Sequence, residues 1–308
     1  FLLCVVREGA EAAFDYLLKY LAPALQRPEE KPGVMIIMLG GQGTGKGTLG
    51  RILQEIWRAT FLQVHNIDAV TGSFNAALER AFVVFLDEAL FVGNRKSTDA
   101  LNSVVTEPVI LINEKHQPAR QIDSHHRLIA ATNADHDNHT ERDDRRDFVL
   151  RLSEDHKGDH AYWKALHYEI DNGGVEAMVH DLLAMDLSDF NVRDKPQTKA
   201  LLEQKLLSLE PIAEWWYECL INGEVSPDDG WPDFIATKDA ATAVKESGAR
   251  LYRNPTDKMV VKSFRQFCPS AYQKQQQTTL GRHRGLALPS LGTARTEFEA
   301  YIGGKVPW

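Results

Sequence analysis

The stretch MIIMLGGQGTGKGTLGRIL, residues 35–53, decides how the rest of the chain is read. Its first part belongs to a continuous apolar run, residues 34–39, with the length and content of a strand buried on both faces. Residues 48–58 then show helical spacing of apolar positions. Between them lies GGQGTGKGT, residues 40–48. A loop that folds around phosphate must turn its backbone N–H groups inward, and glycine permits the backbone angles and the close approach. The helix that follows adds a positive dipole end, and Lys46 adds a mobile cation for terminal phosphates. The spacing Gly40-x4-Gly45-Lys46 fits such a phosphate loop, with Gly41, Gly43, Thr44, Gly45, Lys46, Gly47 and Thr48 as the contacts to a nucleotide. One position departs from the usual pattern. Gly47 stands where a Mg2+-binding hydroxyl is expected, which leaves Mg2+ to Asp87, to Thr48 and to water. The competing reading is a chance Gly-rich turn; the strand before, the helix after and the lysine in place argue against it.

Working outward, RAFVVFL (residues 80–86) is a second buried strand ending in Asp87 and Glu88. Carboxylates at that strand end suit two tasks: Asp87 holds Mg2+ through water, and Glu88 polarises an attacking water. A pair that merely caps the next segment is the alternative. HRLIAAT (residues 126–132) is another buried strand, and Asn133 at its end is a candidate sensor of the γ-phosphate or of the water; an ordinary turn asparagine competes with that. Arg142, Arg145 and Arg146 follow in ERDDRRD. An arginine offered across a subunit boundary can stabilise charge on a transferring phosphate, but the surrounding carboxylates also suit a plain salt-bridged surface. VILINEKHQPARQI (residues 109–122) reads as a hairpin with Asn113, Glu114, Lys115 and His116 at its tip. A cation there can hold one backbone phosphate of a threaded strand; alone, the same tip would be a solvated turn. ADHDNH (residues 134–139) matches no zinc spacing and reads as a polar loop.

The remaining pattern gives helices at residues 11–25, 96–105, 162–171, 175–185 and 198–220. A short strand is expected at 148–152 and short helical segments at 234–247, 259–266 and 291–302. Residues 273–288 form a polar stretch containing GRHRG. Strands alternating with helices imply a mainly parallel sheet covered on both faces. With 308 residues, 43% hydrophobic and 25% charged, the chain has room for two or three domains, and neither disorder nor a fibrous class is favoured. No apolar run approaches ~18 residues, so no membrane span is expected. The opening FLLCVVREG reads as the cut edge of a longer protein. The three cysteines form no CxxC pair, which argues against zinc and against a disulfide framework and fits a reducing cytoplasm. The net charge of −8 is uneven: residues 245–308 carry eleven Lys/Arg against four Asp/Glu, a net of +7, which leaves −15 on the preceding 244. A basic end on an acidic body points to a polyanion or to a solvated tail.

The order of phosphate loop, Asp-Glu strand end, lysine-bearing hairpin, asparagine sensor and arginine pair resembles the superfamily 3 helicases, a branch of the AAA+ ATPases. The likeness is to the C-terminal helicase-like part of phage and plasmid primase-polymerase proteins. Residues 157–198 and 281–299 also look like that family. The resemblance implies that Lys46 and Thr48 belong to Walker A, Asp87 and Glu88 to Walker B, and Lys115 to the DNA-contacting hairpin, with His116 beside it. It makes Asn133 the motif C asparagine, and either Arg145 or Arg146 the arginine finger. It implies an α/β AAA+ P-loop core at residues 32–154 after an N-terminal helical segment (1–31). A helical lid (155–208) follows, then a basic, winged-helix-like C-terminal domain (209–308) with Arg282, Arg284 and Arg295 as nucleic-acid candidates. The implied activity uses ATP and Mg2+ to move on single-stranded or forked DNA as a homo-oligomeric ring. A primase or polymerase module would precede it in the full-length protein. Two other readings stay open: a nucleotide-switched DNA loader or initiator that does not unwind, and a phosphotransferase like adenylate kinase, which shares the tetrad GKGT.

Overall fold

The computed structural model describes residues 10–89, 95–133, 145–226, 230–247, 254–278 and 281–308. The chain divides into two compact units, Phe1–Gln204 and Lys205–Trp308.

The first unit is built on a five-stranded sheet. Its strands are β1 (Met35–Leu39), β2 (Phe61–Val64), β3 (Val83–Asp87), β6 (Arg127–Thr132) and β7 (Asp147–Arg151), in the order β2-β3-β6-β1-β7 and parallel throughout. The hairpin strands β4 (Val109–Ile112) and β5 (Arg120–Asp123) pair separately and antiparallel. A parallel strand covered on both faces sends alternate residues into two cores. Ile36 and Met38 of β1 join Phe85, Ile129 and Phe148 in one core. Met35, Ile37 and Leu39 join Val84, Leu128 and Val149 in the other.

The first core is closed by α1 (Ala10–Gln26), α2 (Lys46–Ile56) and α6 (Val175–Ala184), through residues such as Leu17, Leu21, Leu53 and Leu182. Helix α2 reaches the sheet closely because Gly50 has no side chain; a Cβ there would lie 3.0 Å from the Phe85 ring. The second core is covered by the short α3 (Asp68–Thr71) and by α4 (Arg95–Thr106), which contributes Leu101, Val104 and Val105. The end of α1 is held by Arg127, which is 2% exposed. Its guanidinium donates to the carbonyls of Pro23, Arg27, Pro28 and Glu30 and lies 4.5 Å from the Phe82 ring centre. Helix-end carbonyls lack intrahelical donors, so a buried cation there meets a real need.

After the sheet, α5 (His160–Glu169) and α6 are joined by a π-helical turn at Ile170–Gly174, where Gly173 is left-handed at φ 99°. Residues 198–220 were expected as one helix and are two, α7 (Lys199–Leu207) and α8 (Pro211–Asn222). Pro211 cannot donate within a helix interior, so it starts the second one.

The second unit holds α8, β8 (Phe234–Ala236), α9 (Thr237–Glu246), α10 (Asp257–Phe267), β9 (Tyr272–Thr278), β10 (Gly281–Ala287) and α11 (Leu291–Ile302). Its antiparallel sheet runs β8-β10-β9. Its core is aromatic: the Trp216 ring lies 4.6 Å from Phe264 and 5.9 Å from Phe267. Two expectations are corrected here. The segment 234–247 opens as a strand before turning helical, and the polar stretch 273–288 is a hairpin. Among the described residues no helix is long and apolar enough to cross a membrane.

Candidate nucleotide-binding site

In a parallel sheet the C-terminal strand ends all face one edge, and the loops leaving them can share one site. Three of those loops carry the candidate residues. The loop after β1 is anchored where Gly40 N–H donates to Thr132 O (3.1 Å), which ties it to the end of β6. Gly43 and Gly45 are left-handed, at φ 80° and 96°. A side chain at either would be strained, and Gly45 turns the chain directly into α2. Thr44 Oγ1 donates to Gly41 O (2.9 Å) and braces the loop from inside. Thr48 is half-buried in the first turn of α2, and Gly47 faces open space, with nothing within 4 Å of where a Cβ would stand.

Lys46 is 8% exposed. Its ammonium donates to Gly40 O, to Gly41 O (3.1 Å) and to Asn133 Oδ1, and lies 3.6 Å from Glu88 Oε1. Burial lowers its pKa, while the charge of Glu88 and then of Asp87 pulls it back up. Glu88 is in turn fixed at both ends: its N–H donates to Ala131 O (2.8 Å), and its Oε2 accepts from the Asn133 N–H (2.9 Å). Its backbone sits at φ 53°, a conformation uncommon outside glycine, asparagine and aspartate. Lys46, Glu88 and Asn133 are therefore one hydrogen-bonded cluster at the ends of β1, β3 and β6. Asp87, next to Glu88, accepts from Gln63 Nε2 (2.9 Å), and His65 Nδ1 lies 3.7 Å from the same oxygen.

Gln63 and His65 were missed in the sequence because FLQV is too short and too mixed to read as a strand. Their signal was positional: a polar residue on the strand next to the Asp-Glu strand.

The other candidates lie apart from this cluster. Lys115 and His116 are exposed at the β4–β5 tip, with His116 left-handed at φ 67°. That tip is rigidly based. Asn75 exchanges backbone and side-chain hydrogen bonds with Asn113 and Leu111, and Arg120 pairs with Glu79 and Glu114. Arg145 is exposed just before β7, and the Arg146 carbonyl accepts from Met35 N–H (2.7 Å). Both arginines thus stand at the N-terminal edge of the sheet, opposite the phosphate loop. Arg142 and the ADHDNH loop fall outside the described residues. Arg282 and Arg284 are exposed on β10. Arg295 is half-buried: it donates to Leu220 O (2.7 Å) and lies 5.3 Å over the Trp308 ring. No cluster of three metal-ligating side chains occurs among the described residues.

A family model described as a family of unknown function, DUF5906, matches residues 38–146. No curated protein matches the chain. Among solved structures, the apo C-terminal region of NrS-1 is similar over 94% of this chain and 74% of that one, with TM-score 0.65 and 20% identity. The A form apo structure of that region gives TM-score 0.66 at 19% identity, over 90% of this chain and 72% of that one. At such identities the likeness is one of fold, and it extends over both units.

Proposed function

We propose that this chain is the ATP-driven motor of a DNA helicase of the superfamily 3, AAA+ type, acting on single-stranded or forked DNA. One observation carries the reading: Lys46, Glu88 and Asn133 converge at the C-terminal ends of three adjacent parallel strands. That is the set needed to bind a terminal phosphate and direct water at it.

The residues present suit a nucleotide with Mg2+. The loop carries two left-handed glycines, open space lies over Gly47, and Asp87 offers a hard oxygen ligand beside the lysine. The backbone N–H groups from Gly41 to Thr48 would hold the phosphates. The ammonium of Lys46 would exchange its bonds to Gly40 O, Gly41 O and Asn133 for the β- and γ-phosphate oxygens. Mg2+, held by Asp87 and Thr48 through water, would screen the phosphate charge. Glu88, released from Lys46 by that exchange, would orient the attacking water, with Asn133 as the second polar contact. Arg145 or Arg146 would act on a neighbouring subunit's nucleotide in a homo-oligomeric ring, since the sheet separates both from the phosphate loop of their own chain. Lys115 and His116 at the hairpin tip would hold the DNA strand.

The second unit has the order helix, strand, helix, helix, strand, strand and the sheet order of a winged-helix domain, which supports that reading of residues 209–308. Residues 155–208 would form the lid. A primase or polymerase module in the same full-length protein and a cytoplasmic setting complete the proposal.

Strand displacement from a forked DNA duplex tests it. ATP-dependent displacement supports the helicase; DNA-stimulated phosphate release without displacement would make the chain a loader or initiator.

A further inference from the structure

We infer that the C-terminal unit binds double-stranded DNA, with helix α10 entering the major groove and the β9–β10 hairpin following the phosphate backbone. The inference rests on the nucleic-acid reading above and adds a partner and a surface to it.

Helix α10 has two faces of opposite chemistry. Val260, Phe264 and Phe267 are at most 1% exposed and fill the aromatic core. Lys258, Lys262 and Arg265 are exposed, at the i, i+4, i+7 spacing of a single stripe, with Gln266 beside them. Among the described residues none of these three cations, nor Arg282 or Arg284, is in an ion pair. The charge is also segregated along the chain: between Asp257 and Glu297 there are seven Lys/Arg and no carboxylate. A surface whose lysines were only solvated would not need acidic residues kept out of some forty consecutive positions.

The hairpin repeats the pattern. Arg282 stands opposite Gln277, and Arg284 opposite Gln275. Directly opposed residues share a face, so two guanidiniums and two amides line one side, all exposed. Such groups suit phosphate oxygens and base edges.

The form of the nucleic acid follows from what is missing and from geometry. Single-strand binders present aromatic rings for bases to stack on, and neither the α10 stripe nor the Arg/Gln face carries one. Tyr272 is exposed but belongs to the other face of β9. A helix reading out through long polar side chains needs a groove wide enough to enter. B-form DNA offers that in its major groove, whereas the major groove of duplex RNA is too deep and narrow. The second helix of a helix-turn-helix pair, here α10 after α9, is the element that enters.

The test uses the full chain, without nucleotide, and a fluorescent blunt DNA duplex of about 24 base pairs, long enough for two helical turns. Anisotropy is followed between about 50 and 200 mM salt. Combined Lys258→Ala, Lys262→Ala and Arg265→Ala should weaken duplex binding at least about tenfold and flatten the salt slope by about 0.9 per cation removed. Lys262→Glu alone should weaken it in the same direction, and Arg282→Ala with Arg284→Ala should lower the slope by about 2. Wild-type affinity and slope in the triple variant, with an unchanged melting temperature, would overturn the inference. So would equal binding of a blunt RNA duplex. Phosphate release is read separately: its loss with duplex binding intact would refute the motor and leave this inference standing.

Discussion

Arg145 supplies the sharpest quantitative expectation. Asp147, at the start of β7, pairs with Met35 at the start of β1, and the phosphate loop begins only after Leu39. Five strand residues at about 3.3 Å each put the loop about 16 Å away, farther than an arginine side chain extends. If Arg145 serves catalysis it must do so on another subunit. Arg145→Ala should then cut turnover by about 10³ or more, as for other arginine fingers. Lys46→Ala, which disables the phosphate loop, should also be inactive. Mixed one to one, the two dead proteins would regain activity. In a closed ring a site works when an Arg145→Ala subunit supplies the loop and its Lys46→Ala neighbour supplies the arginine. Random assembly makes that about one interface in four, whatever the ring size. Phosphate release from the mixture should therefore recover to about a quarter of wild type. Absence of recovery, with assembly shown by sedimentation and the same outcome for Arg146→Ala, would refute an arginine acting between subunits.

Three further expectations follow from particular contacts. Lys115→Ala should reduce stimulation of ATP turnover by single-stranded DNA; unchanged stimulation would return the β4–β5 tip to the solvated turns. Gly47→Thr meets open space and should fold normally, lower the Mg2+ concentration needed for half-maximal turnover, and change stability by no more than ~0.3 kcal/mol, since threonine is itself a poor helix former; a higher Mg2+ requirement would refute the role given to the missing hydroxyl. Lys31, which donates to Val104 O (2.8 Å) and to Ser124, has its pKa pushed down to about 8 by burial. Its folded pKa lies below the unfolded value, so between about pH 8 and 10.5 the unfolded chain binds more protons and this group's contribution to stability rises with pH. Melting curves of Lys31→Met should lack that part of the rise; identical slopes would place Lys31 in a more solvated setting.

The core of the first unit was readable because parallel strands buried on both faces are continuous apolar runs, and β1, β3, β6 and β7 all are. The placement of the candidate residues was readable for the same reason: they sit at the ends of those runs, where Asp87, Glu88 and Asn133 break the apolar pattern. Strand β2 was not, since Phe61–Val64 is largely half-exposed and offers no clean run. With it went Gln63, the hydrogen-bond donor to Asp87. The β9–β10 hairpin was hidden by composition: YQKQQQT has no apolar alternation, and the buried part of β10 is its end at Gly285, Leu286 and Ala287. Arg295 carries a role that its charge alone did not show: its guanidinium donates to the Leu220 and Ile221 carbonyls at the end of α8 and lies over the Trp308 ring.

The most direct test of the central claim is phosphate release from ATP, with and without single-stranded DNA, in the wild-type chain and in Glu88→Gln. Hydrolysis stimulated by DNA and reduced by about 10² or more in the variant is the expected result. Wild-type hydrolysis in Glu88→Gln would contradict the account, because the carboxylate held between Lys46 and Asn133 would then have no part in directing water.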